Sequence, residues 1–487
     1  MKAYKTFLFI LSVIFFLTTI SFFFPEDGVA LGSRQLYFPT IEDIASRENH
    51  NTTAASQRMR EMEESLHMQR YQDSLHMVKE MAYQDSLSFY TTFFDTHDSR
   101  IYLPDSDYTF FDAFFQIMED CGKEEEPVHI LHYGDSQLEG DRITGRLRQR
   151  LQEKFGGNGA GLVPAVQPIS SIAVGQSASE DIIRYIVSGS HINRAPHRRY
   201  GVLGQVGQMT GDGSITVNAR NWKSTFENVK SFSRVRLFVG RTDGFDVSIV
   251  NTKKAVSKED KTDTDMPLQE FSWFFDEPIK GFTLNMRGSA EIYGISVEGK
   301  GGVALDNIPF RGSSGTFFTL IDSVVMASMF QRLNTKMIIL EFGGNMMPVV
   351  SSQKVIADYK VKMSQQINYL RSLCPDALIL LIGPADMSKT VNGQLQTYPF
   401  LGEMVEGLKE AALENGAAFW NLYEVMGGYN SMISWVKNNP PLAASDYIHL
   451  TARGADKIAD MFYETIMIYY DYYRFQKVGK EEIIDEL

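Results

Sequence analysis

The stretch "VHILHYGDSQLEGDRITGRLRQRLQEKFG", residues 128–156, decides how the rest of the chain is read. Val128–Tyr133 reads as a short strand. Gly134 permits a tight turn, and Arg142–Phe155 has apolar residues at helical spacing with a basic outer face. Ser136 falls at the turn between them. A nucleophilic serine needs that place: the carboxyl end of a strand, on a tight turn, with its backbone N–H free to meet an oxyanion. Gly-Asp-Ser alone is a weak motif, because a serine after a strand commonly caps a helix.

Working outward, "TKMIILEFGGN" (335–345), "DALILLIGP" (376–384) and "AAFWNLY" (417–423) read as buried strands. Helical spacing fills 351–373 and 402–415, and a last helix begins near 451. Apolar strands alternating with amphipathic helices predict a parallel sheet covered on both faces. Residues 168–302 have another texture. "SITVNAR", "RVRLFVG", "DVSIVN", "EFSWFF", "GFTLNMRG" and "AEIYGISVEG" alternate with period two between Gly, Asp, Asn and Lys turns. That pattern predicts a β-sandwich inserted into the α/β domain.

A base for Ser136 has to come from nine histidines. His129 and His132 lie within the first strand, where a structural role is expected. Four others fall before residue 100 and two in the all-β segment. His449 remains, just ahead of the last helix, with Asp446 three residues earlier. On a turn, that spacing lets the carboxylate orient the imidazole. Gly343, Gly344 and Asn345 end a buried strand, so the asparagine amide could donate to a developing oxyanion. Gly312 in "FRGSSG" (310–315) could add a backbone N–H. Ser136, Gly312, Asn345, Asp446 and His449 all fall at expected strand carboxyl ends, where open α/β sheets place their sites. Asp135 reads as a brace for the turn.

The bulk numbers exclude some functions. A formal net charge of −13 argues against a nucleic-acid partner. Cys121 and Cys374 are the only cysteines, too few for a disulfide framework and not at zinc spacing with histidines, so neither a metal nor a disulfide is expected. "GGNGAG" (156–161) follows a helix rather than a strand and lacks the Gly-Lys-Ser/Thr of a phosphate loop. At the N-terminus, Lys2 and Lys5 precede Phe7–Phe24, an uncharged 18-residue run. Its length suits an uncleaved signal anchor better than a cleaved signal peptide. Either reading puts the remainder outside the cytoplasm, in the cell envelope. Residues 26–105 repeat "YQDSL" and "SLHM" with apolar residues three to four apart, which predicts a helical stalk or, alternatively, a partner-binding helix.

In order, the Gly-Asp-Ser, glycine, Gly-x-Asn and Asp-x-x-His blocks resemble those of the SGNH (GDSL-type) hydrolases. "GNGAGLVPA" (157–165), "AEIYGISVE" (290–298) and "WVKNNPPLAASDYIHLTARGA" (435–455) are similar to bacterial peptidoglycan O-acetylesterases and their O-acetyltransferase relatives. The resemblance implies a flavodoxin-like three-layer α/β hydrolase domain, residues 106–167 and 303–475, interrupted by a carbohydrate-binding-like jelly-roll module at 168–302. The segments 1–25 (anchor or signal peptide), 26–105 (stalk) and 476–487 (tail) complete the chain. By position, Ser136 would be the nucleophile, His449 the base and Asp446 its orienter. The N–H groups of Ser136 and Gly312 and the Asn345 amide would form the oxyanion hole. The implied activity is removal of O-acetyl groups from cell-wall polysaccharide, without a cofactor. The alternatives are acetyl transfer to a sugar hydroxyl, fed by a membrane acyl-transfer partner, and an inactive glycan-binding envelope protein. One departure stands out: Met346 and Met347 follow Asn345 where many relatives carry an acidic residue, which predicts a more apolar pocket wall.

Overall fold

The computed structural model describes residues 3–25, 28–31, 34–38, 54–189, 193–251, 254–257 and 266–478. Two units form, Met1–Ala82 with Leu487, and Tyr83–Glu486. The first contains the helix Ala3–Phe23, a hairpin pairing Val29–Leu31 with Arg34–Leu36, and most of a 43-residue helix, Ala54–Thr96. The sequence leads one to expect a membrane-crossing anchor in residues 1–25. Among the described residues, however, no helix is long and apolar enough to cross a membrane. The anchor is not supported.

In the second unit, six strands build one sheet: β1 (Ile101–Tyr102), β2 (Val128–Gly134), β3 (Val303–Pro309), β4 (Thr335–Glu341), β5 (Leu378–Ile382) and β6 (Ala418–Trp420). Their order among the described residues is β3-β2-β4-β5-β6-β1, parallel except for β1, which runs antiparallel along β6. Counting from β2, the parallel strands follow the 2-1-3-4-5 order of flavodoxin-like folds, with the switch point between β2 and β4. Alternate residues of each strand enter opposite cores, so Ile338 and Leu340 face one side and Met337 and Ile339 the other. Helices α2 (Ser323–Arg332), α3 (Gln353–Leu373) and α4 (Leu401–Glu414) cover the first face. The second is covered by Asp112–Asp120, α1 (Arg142–Phe155) and α5 (Ala452–Val478). The result is the three-layer α/β body expected.

Two outer boundaries of the α/β domain differ from the sequence reading. The segment read as stalk to residue 105 contributes β1 to the sheet, and Phe93 and Phe94 are buried in its core. The Phe94 ring stacks on Tyr469 at 4.4 Å, and Tyr83 stacks on Phe475 at 4.9 Å. The aromatic density of α5 therefore serves to dock the end of the long helix. Helix α5 runs on to Val478, past the expected domain end at 475, and the rest of the tail lies outside the described residues.

The all-β segment is an antiparallel sheet around its own core. It begins with Gly161–Val163, ahead of position 168, because this strand pairs with Gly281–Glu298. Several stretches that read as separate strands are continuous: Phe232–Asn251 spans 20 residues and Gly281–Glu298 spans 18. Glycines there carry bulges rather than turns. Gly288 has φ +93°, and the pairing register shifts between Arg287 and Ser289. A Cβ at Gly288 would lie 2.2 Å from the Gly244 carbonyl oxygen, so only glycine lets the two strands pass.

A buried polar cluster joins the two sheets. His129 on β2 bonds Asp306 on β3 through Nδ1 (2.7 Å) and Glu298, at the end of the module, through Nε2 (3.1 Å). Asp306 also accepts the Leu162 N–H at 2.7 Å. Burial alone would lower the His129 pKa, but the Asp306 and Glu298 carboxylates outweigh it and carry it up to about 9. For Glu298, burial acts upward, while His129, Arg236 and Ser296 bring it down to about 2. A raised histidine pKa adds stability that is complete below the unfolded value of 6.5 and is lost as pH rises through about 9. A depressed glutamate adds stability that is complete above 4.5 and lost as pH falls toward 2. The thermal midpoint should therefore decline from pH 6.5 to 9. In His129→Gln that alkaline decline should flatten, as thermal denaturation across the pH series would register.

Candidate active site

Ser136 follows β2 directly. A Cβ at Gly134 would lie 2.7 Å from Leu138 Cδ1 and 3.1 Å from the Glu341 carbonyl oxygen, so glycine lets the chain turn tightly beside β4. Asp135 Oδ1 accepts the Gln137 N–H at 3.0 Å and braces the turn. Ser136 is thereby presented at the carboxyl edge of the sheet, beside the switch point.

The histidine arrives from a turn 313 residues away in sequence. Asp446 Oδ1 accepts the backbone N–H groups of Ile448 and His449, both at 3.0 Å, which winds the turn. Tyr447 inside it adopts φ +58°, a left-handed conformation the Asp446 bonds help to hold. Asp446 Oδ2 is left to accept from His449 Nδ1 at 2.8 Å. A carboxylate only accepts, so Nδ1 carries the hydrogen and Nε2 is the free acceptor for Ser136 Oγ, 2.9 Å away. Burial pushes the Asp446 pKa up, but hydrogen bonds from His449 and Ile448 hold it below the ordinary carboxylate value. The chain Ser136–His449–Asp446 has the connectivity that activates a serine hydroxyl.

Of the three expected oxyanion donors, Asn345 lines the cleft with Ser136 and His449, whereas Gly312 does not. Gly312 lies in an exposed loop, φ +73°, next to Ser313. Both amide hydrogens of Asn345 are engaged, by Asp135 Oδ2 (2.7 Å) and the Ser313 carbonyl (3.1 Å). An oxyanion bonded by Asn345 has to share or displace one of them. Burial and the nearby Glu341 charge push Asp135 up to about 7, against the bonds from Gln137 and Asn345. His132, expected to be structural, bonds Glu341 (3.1 Å) and Thr144 (3.1 Å) beneath the site.

The cleft encloses about 170 Å³. Its apolar wall comes from Pro348, Pro384, Ala385, Met387 and Ile448. The expectation that Met346 and Met347 form that wall is corrected: Met347 is buried in the core, and Met346 packs against it from outside. The 3-10 turn Gly344–Val349 aims these side chains inward and leaves Pro348 at the cleft. Among the described residues, no cluster of three or more His, Cys, Asp or Glu is arranged to hold a metal. Cys121 and Cys374 are separate buried thiols, each pushed up to about 11 by burial.

A solved peptidoglycan O-acetylesterase aligns with 75% of this chain and 96% of its own at a TM-score of 0.57 and 23% sequence identity. The two share a fold. A family two carbohydrate esterase from Cellvibrio japonicus (TM-score 0.23, 10% identity, 62% of this chain and 99% of that one) is more distant. So is an acetyl xylan esterase (0.27, 17%, 34% and 81%). No family model matches the chain, and no curated protein sequence does.

Two residues of the site escaped the sequence reading although they stand in the opening motif. Gln137 Nε2 donates to the Ile448 carbonyl (2.8 Å), and Gln137 Oε1 accepts the Leu450 N–H (3.2 Å). Arg142 donates to the carbonyls of Ser136 (2.6 Å) and Leu450 (3.1 Å). Both strap the serine turn to the histidine turn, a role that sequence spacing cannot reveal. Ser136 should react with a fluorophosphonate probe. Gln137→Ala should slow that labelling by about tenfold or more, because a misplacement of about 1 Å can cost up to 10²-fold. Intact-mass time courses would follow it, and an unchanged rate would remove Gln137 from the positioning machinery.

Proposed function

We propose that the protein is a serine esterase that removes O-acetyl groups from a peptidoglycan-like cell-wall polysaccharide, acting outside the cytoplasm where that substrate lies. The observation that carries this reading is the unbroken Ser136–His449–Asp446 chain, at 2.9 and 2.8 Å, at the mouth of a small cleft. The fold shared with a peptidoglycan O-acetylesterase supports the choice of ester and glycan.

In this mechanism Ser136 Oγ attacks the acetyl carbonyl carbon while its proton passes to His449 Nε2. The new oxyanion takes hydrogen bonds from the Ser136 N–H and from the Asn345 amide, which turns one hydrogen away from Asp135 or Ser313. The bond to the sugar oxygen then breaks, and His449 returns the proton to that leaving oxygen. Water, deprotonated by His449, attacks acetyl-Ser136. Acetate departs and Ser136 recovers its hydrogen. Asp446 stays ionised throughout and stabilises the imidazolium.

The same acyl-serine could pass its acetyl group to a sugar hydroxyl. Hydrolysis is favoured because the His449 side chain is 36% exposed at the cleft rim, where water reaches it freely.

Ser136→Ala should lower turnover of an acetylated glycan by about 10⁴–10⁶. Acetate release that persists in this variant would refute the mechanism. Asn345→Ala should cost roughly 10²–10³ in kcat with a smaller change in KM, because its donor counts mainly in the transition state. Steady-state kinetics on a small acetyl ester would separate the two parameters.

A further inference from the structure

A second cavity, about 500 Å³, lies between the β-module and the segment that carries Ser136. Its body is apolar, walled by Leu162, Pro164, Pro168, Ile186, Leu203 and Ile308. Its polar groups are unevenly satisfied. Arg148 at its edge has a bidentate partner in Asp141, at 2.7 and 2.9 Å. Arg184 has none. It stands on the strand Ile182–Ile186 at an inward position between two buried isoleucines. Its only side-chain bond among the described residues runs from Nε to the neutral Gln205 Oε1, at 2.7 Å.

No carboxylate among the described residues pairs with this guanidinium, whose pKa burial lowers. An inward cation without a counter-charge is costly unless a ligand supplies one. The cavity also holds an unanswered acceptor: Glu139 Oε1 is buried with no hydrogen-bond partner. The other oxygen, Oε2, lies 3.5 Å from Arg311 Nη1. A ligand suited to these groups has a carboxylate for Arg184, an N–H or O–H for Glu139, and a methyl-bearing body between them.

Little separates this cavity from the catalytic cleft. Glu139 is three residues beyond Ser136 in the same turn. Ser188, which lines the cavity, bonds Ser313 Oγ at 2.9 Å, and the Ser313 carbonyl accepts from Asn345. We propose that the cavity is a substrate subsite that binds the carboxylate-bearing peptide substituent of a muramyl sugar, anchored by Arg184. It would seat the glycan so that an acetylated hydroxyl of the same chain reaches Ser136. The ligand's identity rests on the esterase reading; the need for an anion rests on Arg184 alone.

Muramyl dipeptide, which ends in a carboxylate, and its fully amidated form are the two probes, with binding to the whole protein measured by calorimetry. The acid should bind at least about tenfold more tightly than the amide, as expected when a guanidinium loses its carboxylate. Arg184→Gln should remove that difference, and Arg184→Lys should restore part of it. Hydrolysis of 4-nitrophenyl acetate by Arg184→Gln should stay within about twofold of wild type, which shows the fold and catalytic chain intact. Equal binding of acid and amide, no binding of either, or an undiminished preference in Arg184→Gln would overturn the subsite. Absence of Ser136-dependent nitrophenyl acetate hydrolysis in the wild type would instead defeat the esterase reading and leave the binding result to stand by itself.

Discussion

Three buried ionisable side chains, His129, Asp306 and Glu298, meet where the first parallel strand, the strand returning from the β-module and the last strand of that module converge. Each is fully buried, so each is tolerable only because the others neutralise and hydrogen-bond it. The Leu162 N–H completes the Asp306 shell. This cluster pins both ends of the module to the central sheet and fixes the register between β2 and β3, with His129 seven residues before Ser136. Tyr133, four residues further along β2, donates to the Val202 carbonyl in the module at 2.8 Å. The position of Ser136 is therefore tied to the module and to the α/β body alike.

The site itself is a junction of turns. Four chain segments meet at the sheet edge: the serine turn, the loop after β3, the Gly-Gly-Asn turn after β4 and the Asp-x-x-His turn before α5. Their mutual placement depends on side-chain amides and guanidiniums, Gln137, Asn345 and Arg142, each bonded to a backbone carbonyl of another segment. Such bonds hold loops as firmly as neighbouring strands do, provided their donors stay shielded from water. The cleft is small because Pro348, in the turn after β4, and Pro384, in the loop after β5, crowd it from two sides. A short acyl group fits such a space better than a long one.

Much of this was legible beforehand, for a physical reason. A parallel strand buried on both faces has to be apolar throughout, so β4 and β5 could be recognised from composition alone. The Asp446–His449 pair was legible because it lies within one turn, where spacing fixes geometry. Other features were not. The bulges at Gly244 and Gly288 look like turns in sequence, since a glycine with positive φ serves either purpose. The end of the long helix looked like stalk because its phenylalanines have no periodic partner nearby. They pack on tyrosines of α5 more than 370 residues away.

The sequence by itself determined the α/β class and the inserted all-β texture and singled out Ser136, Asn345, Asp446 and His449 as candidates, because those depend on local patterns and motif order. Only the tertiary structure decided which donors are free and which cations lack partners. Asn345 is an amide in any reading, but that both its hydrogens are engaged follows from Asp135 and Ser313 converging on it. Arg184 looks like any strand arginine. It becomes distinctive because folding places it inward, between buried isoleucines, with no carboxylate among the described residues beside it. Charge and hydrogen-bond satisfaction are properties of neighbours, and neighbours distant in sequence are chosen by the fold.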